Sequence, residues 1–286
     1  MSGLMIRTDG VELATQSFGD PNHTPLILIM GGMASMLWWR EEFCERLARG
    51  GHFVIRYDQR DSGLSTKYPP GRPGYAFDDA VDDVFRVLDG YAISSAHIVG
   101  FSLGGMVGQA ATLKHPERVL SLTAISTSPV GLDTSHFPPS GAAWMEHMSV
   151  EADWSARANA VAYLVEDLRL TAGTAHPFDA VGATAFLEQD FDRSGGYLSA
   201  TNHSVLFDIG EKWQGRLNEM EVPLLVIHGA ADPVYPIAHG EALARTVADA
   251  RFVEIEGGGH ELHPDDWDAI ISAINEHVRR VTETSK

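Results

Sequence analysis

A single cysteine, Cys44, stands in the 286 residues. One thiol excludes an intramolecular disulfide and any zinc site built from clustered cysteines. Cations are also scarce: 21 Lys and Arg stand against 39 Asp and Glu, a formal net charge of −18, and no basic run occurs. Nucleic acid and anionic membrane surfaces both need a cationic footprint, so neither is expected as a partner. Long apolar runs are missing too. The longest, Leu26 to Trp39, is broken by Gly31, Gly32 and Ser35. It falls short of the ~20 residues that cross a bilayer. The opening residues MSGLMIRTDG hold no basic stretch followed by an apolar one, which predicts no secretory signal and a cytoplasmic location. The G-x-G-x-x-G fingerprint is absent, and with it the expectation of a dinucleotide cofactor. His260-Glu261-Leu262-His263 is not H-E-x-x-H and lacks metal-ligand spacing, so zinc is rejected there. Neither a cofactor nor a metal is expected.

What is present suits a large buried core: 44% of residues are hydrophobic and 9% aromatic. Val11 to Phe18 alternates like a strand near a sheet edge. Leu26 to Met30, Phe53 to Tyr57, His97 to Val99 and Val119 to Ile125 read as buried strands. Helical spacing separates them over Trp38–Arg49, Phe77–Leu88 and Met106–His115. This alternation predicts an α/β fold with a mostly parallel central sheet flanked by helices. It lapses from about Pro129 to Trp213, which reads as mostly helical, and resumes with Leu224–Ile227, Ala238–Val247, Phe252–Ile255 and Asp265–Val281. The expected division is a core of residues 1–129 and 214–286 with a helical cap of residues 130–213 inserted in it.

Gly100-Phe101-Ser102-Leu103-Gly104 fits G-x-S-x-G. The pattern alone is weak, but it follows a buried strand and opens a helix, the setting that lifts a serine clear of a sheet. A hydroxyl needs a base to become a nucleophile, and the base needs a carboxylate to orient it. His260, in Gly257-Gly258-Gly259-His260, and Asp232, in Gly229-Ala230-Ala231-Asp232, each follow a predicted strand. Open α/β sheets place their sites at those strand ends. Ser102, Asp232 and His260 are therefore the expected catalytic set. An oxyanion also needs donors. The N–H of Leu103 is one expectation. Gly32, in the loop after the strand ending at Met30, is the other, with Met33 as its fallback. Asp58 to Ser65 is read as a structural loop beside the nucleophile. Met33, Trp144 and Met148 are expected to touch substrate.

With these motifs in place, the chain resembles the α/β-hydrolase superfamily over essentially its whole length. It is most similar to the aclacinomycin methylesterase type. The likeness rests on Val11-Glu12-Leu13, Phe18-Gly19-Asp20-Pro21, Met30-Gly31-Gly32, Val54 to Asp58 and Arg60-Asp61-Ser62-Gly63. Two positions depart from the pattern: many relatives carry His-Gly where this chain has Met30-Gly31, and Gly where it has Asp61. The resemblance implies Ser102, Asp232 and His260 as a triad, Gly32 and Leu103 as oxyanion donors, and hydrolysis of a methyl ester without a cofactor. It does not reach the substrate pocket, because residues 129–213 show no clear match. The expected function is hydrolysis of a small carboxylic ester through an acyl-enzyme on Ser102. The alternatives are a lactonase, a C–C bond hydrolase or a perhydrolase using the same triad, or a ligand-binding receptor that retains it. A monomer and a homo-oligomer are equally compatible with the sequence.

Overall fold

The computed structural model describes residues 2–284. Its centre is an eight-stranded sheet in the order β1-β2-β4-β3-β5-β6-β7-β8. The strands are β1 (Ser2–Thr8), β2 (Val11–Phe18), β3 (Thr24–Ile29), β4 (His52–Tyr57), β5 (Ala96–Phe101), β6 (Val119–Ile125), β7 (Leu224–Gly229) and β8 (Ala250–Ile255). β1 and β2 form an antiparallel hairpin, and β2 lies antiparallel to β4. From β4 through β8 every pairing is parallel. Strand β1 has no counterpart among the strands read from sequence. Its turn, Asp9-Gly10, has φ of 49° and 77° at the two residues, the tight hairpin geometry that an Asp-Gly pair favours.

Side chains alternate along the buried strands and feed two cores. On one face Ile27 and Ile29 pack with α2 (Phe77–Gly90), α3 (Leu103–Lys114) and α7 (Ala238–Thr246). On the other, Leu26, Leu28 and Met30 pack with α1 (Glu41–Arg49) and α8 (Trp267–Thr284). Helix α3 is buried from Leu103 through Leu113, which explains its small residues: Gly104, Gly105 and Gly108 let it lie against the sheet. Cys44 is buried in the α1–α8 layer, and that burial pushes its thiol up to about 12, so it stays protonated. The helix expected over Trp38–Arg49 is shorter than its spacing suggested. Ser35 caps a single 3-10 turn at Met36–Trp38, and α1 begins only at Glu41.

Between β6 and β7 the chain forms α4 (Ala142–Met148), α5 (Arg157–Thr171), α6 (Ala180–Ser194) and a 3-10 segment at Ser199–Phe207. Ala160, Val161, Phe186, Leu187 and Tyr197 make a small core of their own there. It is joined to the sheet by Arg193 of α6, whose Nη2 lies 2.7 Å from Oδ2 of the buried Asp58. No helix among the described residues is long and apolar enough to cross a membrane.

The loop after β4 is fixed by a second buried ion pair. Arg60 Nε and Nη2 donate to the two carboxylate oxygens of Asp83 on α2 at 2.7 and 2.9 Å, with both side chains almost wholly buried. Removing one member of such a pair strands the other charge. Asp83→Ala is therefore expected to lower stability by about 3–5 kcal/mol in urea unfolding. A loss near that of an ordinary surface substitution would contradict the assignment.

Candidate active site

Four loops meet at the carboxyl ends of the parallel strands. Ser102 forms the turn between β5 and α3, at φ 54° and ψ −121°. A non-glycine residue there is strained by roughly 1–3 kcal/mol and persists only when its surroundings hold it. The surroundings are specific. Ser102 N–H donates to Ile125 O at 2.9 Å, and Ser102 O accepts from Thr127 Oγ1 at 2.6 Å. A Cβ at Gly100 would collide with the Gly104 carbonyl, and one at Gly104 with the Ile29 carbonyl. Only glycine lets strand and helix pass this closely, and that passage makes the turn sharp.

His260 Nε2 lies 3.0 Å from Ser102 Oγ, and its Nδ1 lies 2.8 Å from Asp232 Oδ2. A carboxylate accepts only, so Nδ1 carries the ring proton and Nε2 presents a lone pair to the serine hydroxyl. Asp232 is fixed from its other oxygen, where Oδ1 accepts the N–H groups of Val234 and Tyr235 at 2.8 and 2.9 Å. Burial alone would raise its carboxyl. The charge and hydrogen bond of His260, with His228 at 3.6 Å, outweigh burial and hold it below the usual value. The glycines before His260 do not make a loose loop. His260 N–H donates to Thr171 O at the end of α5 at 2.8 Å, and a Cβ on Gly259 would collide with Thr171 O and Gly173 N. The inserted helices thus hold the backbone of the candidate base.

Gly31 and Gly32 lie beside the nucleophile: a Cβ on Gly31 would sit 3.3 Å from that of Ser102, and one on Gly32 3.7 Å from a Leu103 methyl. The N–H groups of Gly32 and Leu103 have no hydrogen-bond partner among the described residues. Met33 N–H does have one, His203 Nδ1 at 2.8 Å, so of the two candidates in this loop Gly32 has the free donor. His203 is a residue that sequence reasoning did not single out. Its Nε2 lies 2.6 Å from the Arg60 carbonyl, which assigns the proton to Nε2 and the lone pair to Nδ1. Burial depresses its pKa, consistent with a neutral ring. Its neighbour Asn202 donates to Asp61 Oδ2 at 2.9 Å, as does Tyr75 at 2.8 Å. Asp61 has φ 66°, the left-handed region that glycine fills at least cost. The departure at Asp61 thus replaces conformational ease with a carboxylate that organises the His203 segment. The loop from Asp58 is structural: Asp58 Oδ1 accepts Met36 N–H at 2.7 Å, and Gln59 Nε2 donates to Met30 O at 2.9 Å.

A cavity of about 480 Å³ opens on His260, walled by Trp38, Phe101, Leu168, Phe186 and Trp267. Met33, Trp144 and Met148 are not among its lining residues. Trp144 and Met148 lie on α4, where Trp144 Nε1 donates to Asp167 at 3.0 Å and Met148 is half-exposed.

The alpha/beta hydrolase fold family model matches residues 24–266. The rhodomycin D methylesterases DnrP of Streptomyces peucetius and DauP of Streptomyces sp. (strain C5) are each 34% identical to this chain, over 97% of it and 98% of their own length. A solved meta-cleavage product hydrolase (CumD) from Pseudomonas fluorescens IP01 superposes with a TM-score of 0.79. It covers 97% of this chain and 98% of its own, at 20% identity, which is a likeness of fold.

The lowered Asp232 pKa has a stability consequence. A carboxylate held below its unfolded value of about 3.9 contributes stability above that pH and loses it as pH falls through the folded value. Urea unfolding of wild type and Asp232→Asn should differ most near neutrality, and the gap should narrow as pH drops below about 5. A gap that does not change with pH would contradict the assignment.

Proposed function

Because the chain belongs to the alpha/beta hydrolase fold family, we propose that it hydrolyses a small carboxylic ester through an acyl-enzyme on Ser102. The relay from Asp232 through His260 to Ser102, at 2.8 and 3.0 Å, is the observation that carries this reading. His260 Nε2 takes the hydroxyl proton as Ser102 Oγ attacks the ester carbonyl. The carbonyl oxygen becomes an oxyanion, received by the N–H groups of Gly32 and Leu103. The start of α3 adds its positive dipole end. Asp232 stabilises the imidazolium, which then protonates the departing alcohol. Water enters, gives its proton to His260 and splits the acyl-enzyme, releasing the acid and restoring Ser102. No step calls for a cofactor.

In this reading the division expected from sequence, a core of residues 1–129 and 214–286 and a helical cap of residues 130–213, assigns the triad to the core and the wall above it to the cap. The acyl portion of the substrate lies in the cavity that opens on His260. Its aromatic walls favour a ring-containing acid, and Arg40, Asp179 and Glu261 on the same lining suit polar groups on that acid. Similarity to relatives named as methylesterases supports methanol as the alcohol released.

Ser102→Ala is expected to lower kcat on short p-nitrophenyl and methyl esters by about 10⁴- to 10⁶-fold, because the triad acts as a unit. Full turnover by that variant would sink the proposal. His203→Ala tests the support of the oxyanion loop. Freed from its anchor at Met33, the Gly32 donor shifts, and kcat should fall about 100-fold with KM little changed. A rise confined to KM would instead make His203 part of the substrate pocket.

A further inference from the structure

Asp190 is a buried carboxylate with no part in the proposed relay. It lies on α6 and is wholly shut off from solvent, where a carboxylate is costly unless donors meet it. Two donors come from the loop after β3. Ser35 Oγ donates to Asp190 Oδ1, and Trp38 Nε1 donates to Oδ2 at 3.1 Å. Tyr197 OH lies 3.2 Å from Oδ2 and 2.9 Å from the Leu187 carbonyl. Ser35 and Trp38 bound the single 3-10 turn Met36–Trp38, and Ser35 Oγ also accepts Leu37 N–H at 3.1 Å. One carboxylate of the inserted helices therefore holds both ends of that turn.

Trp38 is the wall residue on which this bears. It is half-buried and lines the cavity that opens on His260. Its ring meets Phe186 edge-on, with centroids 5.4 Å apart and planes at 80°. Phe186 stands four residues before Asp190 on α6, and residues four apart share a helix face. One face of α6 thus supplies an acceptor for the indole nitrogen and a ring for the indole body. An indole has a single polar atom. A hydrogen bond at that atom and an aromatic contact along the ring together fix its orientation.

We propose that Asp190 is a positioning residue for the acyl pocket, holding the Trp38 indole against Phe186 so that the cavity accepts a ring-containing acid without rearranging. This rests on the reading of the cavity as the acyl site. Wall groups fixed before the ligand arrives lose no rotamer freedom when it binds, and that saving appears as affinity. Freed from Asp190, the indole samples other rotamers, and a ring that packs against it must order it again. An acetyl group is too small to cover the indole, so its binding does not depend on that order. Asp190 therefore governs which acid binds well, while the relay at Ser102 governs how fast the bound ester reacts.

The test compares wild type, Asp190→Ala, Trp38→Phe and the double variant on p-nitrophenyl benzoate and p-nitrophenyl acetate, which share an alcohol and differ in the acid. Each single variant is expected to raise KM for the benzoate about tenfold. KM for the acetate and kcat for both esters should change less than about twofold. The double variant should be no worse than Trp38→Phe, because both substitutions remove the same bond. If Asp190→Ala does not fold, Asp190→Asn, with one acceptor oxygen for two donors, should show the same split to a smaller extent. Calorimetric titration with N-methyl-2-naphthamide reads the pocket without turnover, and the single variants should weaken its binding about tenfold. If wild type binds this amide with that pattern but cleaves neither ester, the hydrolytic reading fails and the role of Asp190 stands. Equal losses on both esters, additive effects in the double variant, or amide binding that is absent from wild type or unchanged in the variants would overturn the proposal.

Discussion

The arrangement turns on the close crossing of β5 and α3. Gly100 and Gly104 allow strand and helix to pass where a single Cβ would collide with backbone. That crossing puts Ser102 at φ 54°. Such a conformation costs energy locally and is retained through packing elsewhere. Here the restraint is the bond from Ser102 N–H to β6, the bond from Thr127 to Ser102 O, and a helix buried along its length. The other site loops converge on this point because β3, β7 and β8 run parallel to β5 and end on the same side of the sheet.

The helices between β6 and β7 are tied to the loops of the candidate site. Thr171 O accepts the backbone N–H of His260, His203 accepts that of Met33, and Arg193 pairs with Asp58, which itself accepts Met36 N–H. Buried polar groups of this kind are costly unless paired, so each contact also fixes geometry. The proposed base and the proposed oxyanion loop therefore depend on the same insertion, through separate hydrogen bonds. Displacing these helices would disturb both halves of the proposed machinery.

The parts of this arrangement legible in the sequence are those with local signatures. The buried strands show as apolar runs, and Ser102 is marked by its glycines within a strand-to-helix setting. Asp232 and His260 follow recognisable strands. The edge strand β1 is less legible because Gly3, Leu4 and Arg7 are exposed and it shows no long apolar run, although Asp9-Gly10 marks the turn that makes it. His203 carried no signal in its own neighbourhood: its role exists only because Asn202 meets Asp61 and because Met33 and Arg60 come together across the fold. In the run Gly257-Gly258-Gly259, Gly259 is required by the close passage of Thr171 and Gly173. Long-range backbone contacts of this sort leave composition as their only trace. The cavity lining is opaque for the same reason, since Trp38, Phe101, Leu168, Phe186 and Trp267 come from five separate elements or loops.

If the proposed relay operates, Ser102 is a nucleophile activated by its surroundings and not an ordinary hydroxyl. Reaction with a fluorophosphonate, followed by peptide mass mapping, tests it directly. One adduct per chain is expected on the peptide containing Ser102, and its loss when the protein is unfolded in urea before exposure. An adduct on a different residue, or an unmodified Ser102 in folded protein, would contradict it.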